Sequence, residues 1–330
     1  MTAVAQAQPN IALVKYWGKR DAKLNLPAAD SLSITLASLY TRTEVSFDPA
    51  LEHDTLQFNG ADNPRALMRV SACLDALRNR AGIACRASVV THNNFPTAAG
   101  LASSASGFAA LVMAASEDLG LPVDRRFLSI AARQGSGSAA RSLFGGFVHM
   151  HAGQADDGSD AFAEPLLDAD AWPLQVVVAV ATHQAKSVSS GEGMERGRRT
   201  SPFHAAWIDS VDADITLARA AVMARDFQAL AEVSEHSCLK MHGVMLSSRP
   251  PLMYWLPTTL ACMRRVRELR ECDGLGTFFT VDAGPQVKAV CLPEDAGKVA
   301  AALGEIPGVK TVLISSLGEG ARSIPAAEVA

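Results

Sequence analysis

The pattern of apolar and polar positions predicts strands mixed with helices in the first hundred residues. Strands are expected over residues 10–16, 44–47 and 87–91. Over residues 31–36, Leu and Ile alternate with Ser and Thr, which predicts a strand with one buried and one exposed face. Residues 64–80 carry apolar side chains at helical spacing, so we expect a helix there.

A long stretch of small and apolar residues predicts a buried helix in the middle of the chain's first half. This stretch covers residues 104–119 and ends at Gly120 and Pro122, which are ordinary stop signals. Asp124 is expected to cap the helix that follows. The small residues at 135–138 should end that helix.

The second half of the chain is predicted to contain three long helices and three strands. The helices are expected over residues 202–225, 227–246 and 257–271. The strands are expected over residues 174–182, 277–281 and 287–292. A polar, acidic segment ends near residue 172, which predicts two domains, residues 1–172 and 173–330. Because the elements lack a regular βαβ order, we predict the α+β fold class.

Composition mainly excludes classes of protein. The 330 residues are 48% hydrophobic and 19% charged, as in a globular chain. Thirty basic and 34 acidic residues give a net charge of −4, so the chain has no excess of positive charge for binding nucleic acid. No apolar run approaches the ~20 residues of a membrane span, and the first eight residues do not resemble a secretion signal. We therefore expect a cytoplasmic protein with no nucleic-acid or membrane partner.

Neither the cysteines nor the histidines form a recognised metal-binding pattern. The six cysteines include no C-x-x-C pair, so we expect reduced, buried thiols. His183, His204, His236 and His242 do not form a His-Glu-x-x-His helix, which favours structural or surface roles. No residue is predicted to be a metal ligand.

Small residues between a predicted strand and the buried helix form a candidate phosphate-binding loop. The sequence of residues 96–106 is PTAAGLASSAS, in which Gly100 permits unusual backbone angles and the serines add hydroxyl donors. Free N–H groups and the dipole at a helix start favour an anion. The loop is not a Walker motif, since no G-x-x-x-x-G-K-[ST] occurs. From the residues alone, a serine-capped helix with a tight turn is an equally good interpretation.

Four segments resemble the motifs of a known enzyme family. Residues 96–105 resemble the phosphate loop of the GHMP kinase superfamily, Pro-x-x-x-Gly-Leu-x-Ser-Ser-Ala. Residues 10–21, 136–146 and 280–285 resemble, in this order, the N-terminal, central and C-terminal motifs of diphosphomevalonate decarboxylases. The resemblance implies a two-lobed GHMP kinase fold with the active site in the cleft between the lobes. It also implies ATP-dependent decarboxylation of mevalonate 5-diphosphate to isopentenyl diphosphate, a step of isoprenoid biosynthesis, with ATP and Mg²⁺ as cofactors.

The resemblance implies specific roles for residues in these motifs. Asp282 is expected to be the general base, Lys15 to neutralise it or the transferred phosphate, and Arg141 to hold the mevalonyl carboxylate through two parallel hydrogen bonds. Besides Arg141, the predicted substrate contacts are Asn10, Tyr16, Lys19, Ser136, Ser138, Ser190 and Met194. The predicted ATP contacts are Pro96, Ala99, Gly100, Leu101, Ala102, Ser103, Ser104 and Ser106.

The residue types taken alone leave other interpretations open. An Asp before Gly, as at Asp282, is common in turns. Lys19 lies in an ordinary charged segment, and Arg141 could lie at a solvated helix end. Lys15 is the more unusual residue, because it follows an apolar strand and a charge there needs a partner.

One segment departs from the family pattern. Residues 189–194 resemble a substrate loop of the second domain, but Gly191 stands where the family often has Arg or Thr. Diphosphate binding is then expected to depend more on backbone N–H groups and on Ser190, Lys186 or Lys19. Alternatives are mevalonate 5-phosphate as the substrate, a mevalonate 3-kinase-like enzyme that retains the new phosphate, and a non-catalytic sensor. Many enzymes of the family are homodimers, so a homodimer is an expected partner state.

Overall fold

A computed structural model describes residues 2–95, 103–184 and 186–325 of the chain. Most of the candidate phosphate loop falls in the first gap. The predicted ATP contacts that lie outside the described residues are Pro96, Ala99, Gly100, Leu101 and Ala102. Among the residues that are described, no helix is long and apolar enough to cross a membrane.

The first half of the chain consists mainly of strands. They are β1 (Ala3–Ala7), β2 (Asn10–Val14), β3 (Lys19–Asp21), β4 (Leu26–Pro27), β5 (Ser31–Thr35), β6 (Thr41–Asp48), β7 (Thr55–Phe58), β8 (Ala61–Asp62), β9 (Arg86–Asn93), β10 (Phe147–Met150) and β11 (Ala163–Leu167). The α-helices of this half are α1 (Pro64–Ala81), α2 (Ser103–Asp118) and α3 (Arg125–Gly135). A 3₁₀ helix spans Ala139–Leu143.

The second half of the chain is richer in helices. Its α-helices are α4 (Ser190–Thr200), α5 (His204–Asp209), α6 (Val211–Ala224), α7 (Phe227–Leu246), α8 (Pro257–Glu271) and α9 (Ala296–Gly304). Its strands are β12 (Gln175–Val180), β13 (Thr277–Val281), β14 (Val287–Cys291), β15 (Thr311–Ser316) and β16 (Arg322–Ser323).

Three sheets and a short β3–β4 ribbon organise these strands. The sheets have the orders β16-β1-β6-β9-β7-β8, β11-β10-β5-β2 and β13-β14-β12-β15. Neighbouring strands are antiparallel except for β7 and β9, which are parallel. The C-terminal strand β16 pairs with β1, so the end of the chain returns to the first sheet. Mostly antiparallel sheets combined with helices confirm the predicted α+β class.

The largest buried apolar cluster, which we call the central core, joins the two halves of the chain. It includes Leu32 of the second sheet together with Val176, Met241 and Phe278 of the second half. Two further clusters lie beneath the first sheet and the third sheet. The central core therefore fixes the ends of β2 and β13 against each other, and the candidate catalytic side chains follow these two strands.

Several predicted elements are confirmed residue for residue or nearly so. Helices α7 and α8 cover the predicted ranges, and α1 extends one residue beyond its predicted end. Asp124 caps α3 because its carboxylate accepts hydrogen bonds from the N–H groups of Arg126 and Phe127. The small residues after Gly135 end α3 as expected.

Two predictions about elements are wrong. Residues 202–225 do not form one helix, because Ser210 separates α5 from α6 and its hydroxyl donates to the carbonyl of Trp207, competing with the helical backbone bonds. Strand β5 is buried on both faces rather than one. Its polar face is covered by the segment around the 3₁₀ helix, where Ser31 bonds Arg141 and Thr35 bonds the carbonyl of Phe144.

The expectation for the cysteines holds in part. All six cysteines are free thiols, and four of them are buried. Cys85 is partly exposed and Cys272 is exposed, so burial does not extend to every thiol.

Candidate active site

Asp282 occupies the turn that follows β13 and lies between two lysines. Its Oδ1 is 2.7 Å from Nζ of Lys15, and its Oδ2 is 3.1 Å from Nζ of Lys288. Both lysines are 1% exposed, at the end of β2 and within β14. Burial opposes ionisation of Asp282, but the two positive charges outweigh it and hold the pKa of this carboxyl well below its usual range. Asp282 is therefore ionised at neutral pH.

Helix α7 fixes the end of β13 and thereby the position of Asp282. The backbone N–H of Val281 donates to Sγ of Cys238, and the carbonyl of Val281 lies 3.2 Å from Nε2 of His242. Burial lowers the pKa of His242 to about 4, so its ring is neutral at pH 7 and donates through Nε2–H. Backbone bonds of this kind keep the carboxylate in one place.

Arg141 is a buried guanidinium that has neutral partners. Its Nε donates to Oδ1 of Asn10 at 3.2 Å and its Nη1 donates to Oγ of Ser31 at 2.7 Å. Burial lowers the pKa of Arg141 to about 10, although Tyr16 and Asp282 act in the opposite direction. No carboxylate among the described residues forms a salt bridge with it. A buried cation with only neutral partners is well suited to bind an anion from a ligand.

Hydroxyl groups from three segments form a cluster that is linked to Arg141 through Asn10. Oγ of Ser136 lies 3.2 Å from Oγ of Ser104 and 3.3 Å from Oγ of Ser138. Asn10 donates to the carbonyl of Ser138 and to Oγ of Ser142, which links β2 to the same cluster. The first turn of α2 therefore faces the end of α3, and the predicted contacts Asn10, Ser104, Ser136 and Ser138 come together.

Tyr16 packs against this cluster through a glycine. A Cβ atom at Gly137 would lie 2.2 Å from Oη of Tyr16, so only glycine allows this close approach. The Tyr16 hydroxyl is buried and has no hydrogen-bond partner among the described residues. Burial raises its pKa to about 12, so the group is a neutral donor beside Arg141. A buried donor in this state can bind a polar ligand.

Lys186, which precedes α4, is a third lysine near Asp282. Its Nζ donates to Oγ of Ser190 at 2.6 Å and to the carbonyl of Ala283 at 2.8 Å. Burial lowers the pKa of Lys186 to about 8, with Asp282 acting against this shift. The predicted contact Ser190 thus lies at the start of α4, one hydrogen bond from Lys186, which itself bonds the turn that carries Asp282.

Three of the predicted contacts have partners outside the serine cluster and the surroundings of Asp282. Lys19 donates to Oδ1 of Asn25, and desolvation together with the charge of Arg69 lowers its pKa. Met194 is 7% exposed and packs in the central core. The hydroxyl of Ser106 is fully buried and lies 2.6 Å from Oγ1 of Thr41, so the structure does not bring it to the cluster of Ser104 and Ser136.

Sequence reasoning missed two groups that contact the central residues, Lys288 and Ser31. Lys288 lies in a predicted strand, and the other residues of β14 are apolar. A charge in an apolar strand needs a partner, and this signal, which singled out Lys15, is equally present at Lys288. Ser31 carries no comparable signal, because its contact with Arg141 depends on how β5 packs against the 3₁₀ helix.

The fold and the site together define a class of protein. An ionised carboxylate of the second half lies near a buried guanidinium of the first half, and hydrogen-bonded residues link that guanidinium to a serine-rich helix start. The two α+β halves that carry these groups have the GHMP kinase fold. Profiles of two protein families cover most of the chain. Residues 7–163 match the diphosphomevalonate decarboxylase-like N-terminal domain, and residues 176–322 match the mevalonate 5-diphosphate decarboxylase C-terminal domain. The chain belongs to the diphosphomevalonate decarboxylase family.

Individual relatives agree with this assignment. The diphosphomevalonate decarboxylase of Aspergillus fumigatus is 39% identical over 330 residues, which cover 94% of this chain and 81% of that protein. The diphosphomevalonate decarboxylase of Saccharomyces cerevisiae is 37% identical over a match that covers 93% of this chain and 83% of that protein.

Solved structures of relatives have the same fold over nearly their whole length. The mevalonate diphosphate decarboxylase of Staphylococcus aureus superposes with a TM-score of 0.91 at 37% identity and 98% coverage of both chains. A structure of MDDEF in complex with MVAPP, AMPPCP and magnesium superposes with a TM-score of 0.90 at 37% identity and 99% coverage of both chains.

Proposed function

We propose that this chain catalyses the ATP-dependent decarboxylation of mevalonate 5-diphosphate to isopentenyl diphosphate, releasing ADP, phosphate and CO₂. The observation that carries the proposal is that Asp282, paired with Lys15, lies near the buried Arg141, which hydrogen-bonded residues connect to the serines at the start of α2. Family membership and a relative solved with an ATP analogue and magnesium support the same reaction.

In the first step, the 3-hydroxyl of the substrate attacks the γ-phosphorus of ATP and ADP leaves. The tertiary hydroxyl hydrogen-bonds to Asp282, which orients its oxygen for in-line attack and accepts the proton as the new O–P bond forms. Lys15 and Lys288 keep this carboxylate ionised. The step converts a poor leaving group, hydroxide, into a good one, phosphate.

In the second step, Arg141 holds the substrate carboxylate through its guanidinium N–H groups. The bond between C3 and the phosphate oxygen breaks, and the phosphate leaves with the electron pair. The bond between C1 and C2 breaks as CO₂ departs, and its electrons form the C2–C3 double bond of isopentenyl diphosphate. Because Arg141 lies near Asp282, it holds the substrate carboxylate while Asp282 orients the 3-hydroxyl of the same molecule.

The first turn of α2 fits a nucleotide phosphate, and we propose that it holds ATP. It presents backbone N–H groups and the hydroxyls of Ser103 and Ser104, of which Ser104 faces Ser136. Both carboxylate oxygens of Asp282 are engaged by lysines, so this residue is a poor Mg²⁺ ligand. Mg²⁺ would then be held mainly by phosphate oxygens with hydroxyl groups from the protein, and when bound it supplies neutralisation of phosphate charge.

Replacing Asp282 tests the proposal most directly. We expect Asp282→Asn to lower kcat by about 10³-fold, because the amide cannot accept the hydroxyl proton, while ATP binding persists. Turnover is measured by coupled detection of ADP, and ATP affinity by calorimetry. Asp62→Asn in the exposed strand β8 is the matched control and should leave both quantities unchanged. Turnover at the wild-type rate by Asp282→Asn would contradict the role of Asp282 as the general base.

Replacing Arg141 separates a decarboxylase from a simple kinase. Arg141→Lys should raise the KM for the mevalonyl substrate and slow CO₂ release, while the KM for ATP changes less than about twofold. The exposed Arg199→Lys is its control. An equal effect on the ATP KM would contradict the assignment. In wild type, CO₂, phosphate and ADP should appear in equal amounts, whereas a kinase would release ADP alone.

The number of phosphates on the substrate has its own test. The start of α4 carries Ser190 bonded to Lys186, with Gly191 exposed beside it. We propose that these N–H, hydroxyl and ammonium groups bind the diphosphate. The ratio of kcat/KM for mevalonate 5-diphosphate to that for mevalonate 5-phosphate should favour the diphosphate. A preference for the monophosphate would contradict the proposal that these groups bind a diphosphate.

The remaining proposals concern the whole chain. We propose that residues 1–172 and 173–330 are its two domains, with the exception that β16 joins the first sheet. We also propose that the protein acts in the cytoplasm and forms a homodimer. Sedimentation of the purified protein tests the homodimer, since a single species with the mass of one chain would contradict it.

A further inference from the structure

A second cluster of metal-ligating side chains lies outside the site described above. Asp30 directly precedes β5, His149 belongs to β10, and His151 follows β10. Strands β5 and β10 are antiparallel neighbours, with His149 opposite Leu32 and Met150 opposite Ser31. Residues two apart on an extended strand point to the same side, so His149 and His151 both face Asp30.

The distances within this cluster suit ligands of one ion. Oδ2 of Asp30 is 2.8 Å from Nε2 of His149 and 3.8 Å from Nδ1 of His151. One ligand atom from each of the three residues lies within 4.8 Å of the other two. Tetrahedral ligands at Zn–N and Zn–O distances of about 2.0–2.1 Å are separated by about 3.3 Å, so small side-chain movements would complete the geometry.

The groups around the three ligands already hold two of them in the required orientation. Oδ1 of Asp30 accepts a hydrogen bond from the backbone N–H of Ala152 at 2.7 Å, which leaves Oδ2 for a metal. Nε2 of His151 lies 2.9 Å from Oε1 of Glu164, which leaves Nδ1 for a metal. A carboxylate behind a ligating histidine is the usual outer arrangement of zinc sites.

The cluster is open to solvent on one side, where acidic side chains line a cavity. Asp30 and His151 line a cavity of about 550 Å³, and Asp160, Asp209 and Asp212 line it as well. The cavity offers space for a water molecule at an open coordination position. The acidic side chains around it raise the local concentration of cations.

We propose that Asp30, His149 and His151 bind a divalent transition metal ion of the Zn²⁺ type, with water in the remaining position. Two imidazoles and one carboxylate favour such an ion over Mg²⁺ or Ca²⁺, which prefer oxygen ligands only. The ion ties β5 to β10, and through Glu164 to β11. It is separate from the magnesium that accompanies ATP.

Arg219 of α6 competes with the ion for His149. Its Nη1 lies 2.6 Å from Nδ1 of His149, so without a metal this nitrogen accepts a hydrogen bond from Arg219 and Nε2–H donates to Asp30. Metal binding through Nε2 needs the opposite tautomer and displaces the guanidinium. Arg219 is 39% exposed and lies 3.6 Å from Glu164, which offers it an alternative partner.

Zinc titration of the full-length, chelator-treated protein without nucleotide tests the proposal. A Cys272→Ser background removes the exposed thiol as a competing ligand. Calorimetry should show one Zn²⁺ per chain, and His151→Ala should weaken binding at least 10-fold. His53→Ala, which removes an exposed histidine elsewhere, should leave binding unchanged. No binding by wild type, or equal binding by His151→Ala, would overturn the proposal.

Two variants that retain all three ligands keep the test decisive if His151→Ala does not fold. Glu164→Gln should weaken Zn²⁺ binding about 10-fold, because it removes the carboxylate behind His151. Arg219→Gln should tighten it several-fold, because it removes the competitor at His149. With Co²⁺ as the probe, intense visible absorption bands of a four- or five-coordinate ion are expected. Unchanged affinities in both variants, or only the weak bands of six-coordinate Co²⁺, would contradict the assigned ligands.

Discussion

At the scale of single residues, the charge state of Asp282 bears on the role of general base that we propose for it. Lys15 and Lys288 each hold one of its oxygens, and its pKa lies well below the ordinary range. A carboxylate with such a low proton affinity is a weak base toward a resting hydroxyl. In the proposed mechanism, Asp282 therefore first orients the substrate hydroxyl and takes the proton only when phosphoryl transfer has made that hydroxyl acidic.

The neighbouring Lys186 predicts a pH dependence. Its pKa of about 8 in the folded protein lies below the ordinary 10.5, so it loses its charge as the pH rises through 8. We expect kcat/KM for the anionic substrate to fall above pH 8, because this parameter reports ionisation of the free enzyme. Lys186→Arg stays charged and should shift the fall to higher pH. An identical pH profile for this variant would contradict the role of Lys186.

The lowered pKa of Lys186 also makes the free energy of unfolding depend on pH, which urea unfolding at several pH values measures. Between pH 8 and 10.5 the unfolded chain binds more protons at Lys186 than the folded chain does. The contribution of this group to the free energy of unfolding therefore rises with pH across that window. Lys186→Met lacks the titrating group, so the difference in stability between this variant and wild type should change steadily from pH 8 to pH 10.5, in favour of wild type. A difference that stays constant across the window would contradict the lowered pKa.

At the scale of elements, the end of α3 shows how a backbone position shapes the site. Gly135 ends the helix, and Gly137 lies against Oη of Tyr16. Because no side chain stands at residue 137, the ring of Tyr16 reaches the vicinity of Arg141, 5.8 Å from its guanidinium carbon. The segment after α3 thus both ends the helix and allows the Tyr16 ring to approach the backbone of Gly137 closely.

Gly137→Ala should damage both stability and substrate binding. The new Cβ would lie 2.2 Å from the Tyr16 hydroxyl and force the ring away, which typically costs about 1–3 kcal/mol. Urea unfolding and the KM for the mevalonyl substrate measure the two effects. Gly243→Ala is the control, because residue 243 lies inside α7 and a methyl group there would meet no other atom within 4 Å. It should raise stability by about 0.5–1 kcal/mol and leave KM unchanged.

At the scale of the whole molecule, the two halves of the chain share their largest core. Trp17 and Leu32 of the first half pack in the same cluster as Val176 and Met241 of the second. Neither half can bury these side chains without the other. The shared core also explains why Lys15 and Asp282, 267 residues apart, form a partly buried ion pair.

This packing predicts that the protein unfolds as one unit. Tryptophan fluorescence and far-UV circular dichroism should give coincident urea transitions, since loss of the central core removes support from both halves. Two separate transitions, one for each half, would contradict a shared core. The measurement needs no variant and uses the four native tryptophans.

Much of the local structure could be predicted from the sequence. The helical spacing in α1, α7 and α8 and the carboxylate of Asp124 are short-range signals, and each produced the expected element. The prediction of one helix over residues 202–225 was wrong, because the effect of Ser210 on the backbone depends on where its hydroxyl bonds. Periodicity alone does not contain that information.

The sequence by itself determined several of the longer elements, the fold class and the motifs that carry the family resemblance, because these depend on residues close together in the chain. Only the tertiary structure decided which distant side chains meet. It paired Lys288 with Asp282 and enclosed Arg141 between Asn10 and Ser31. It also brought Asp30 close to His149 in β10 and to His151, which follows that strand. Such contacts follow from the packing of sheets and helices, and burial then sets the charge and proton affinity of each group.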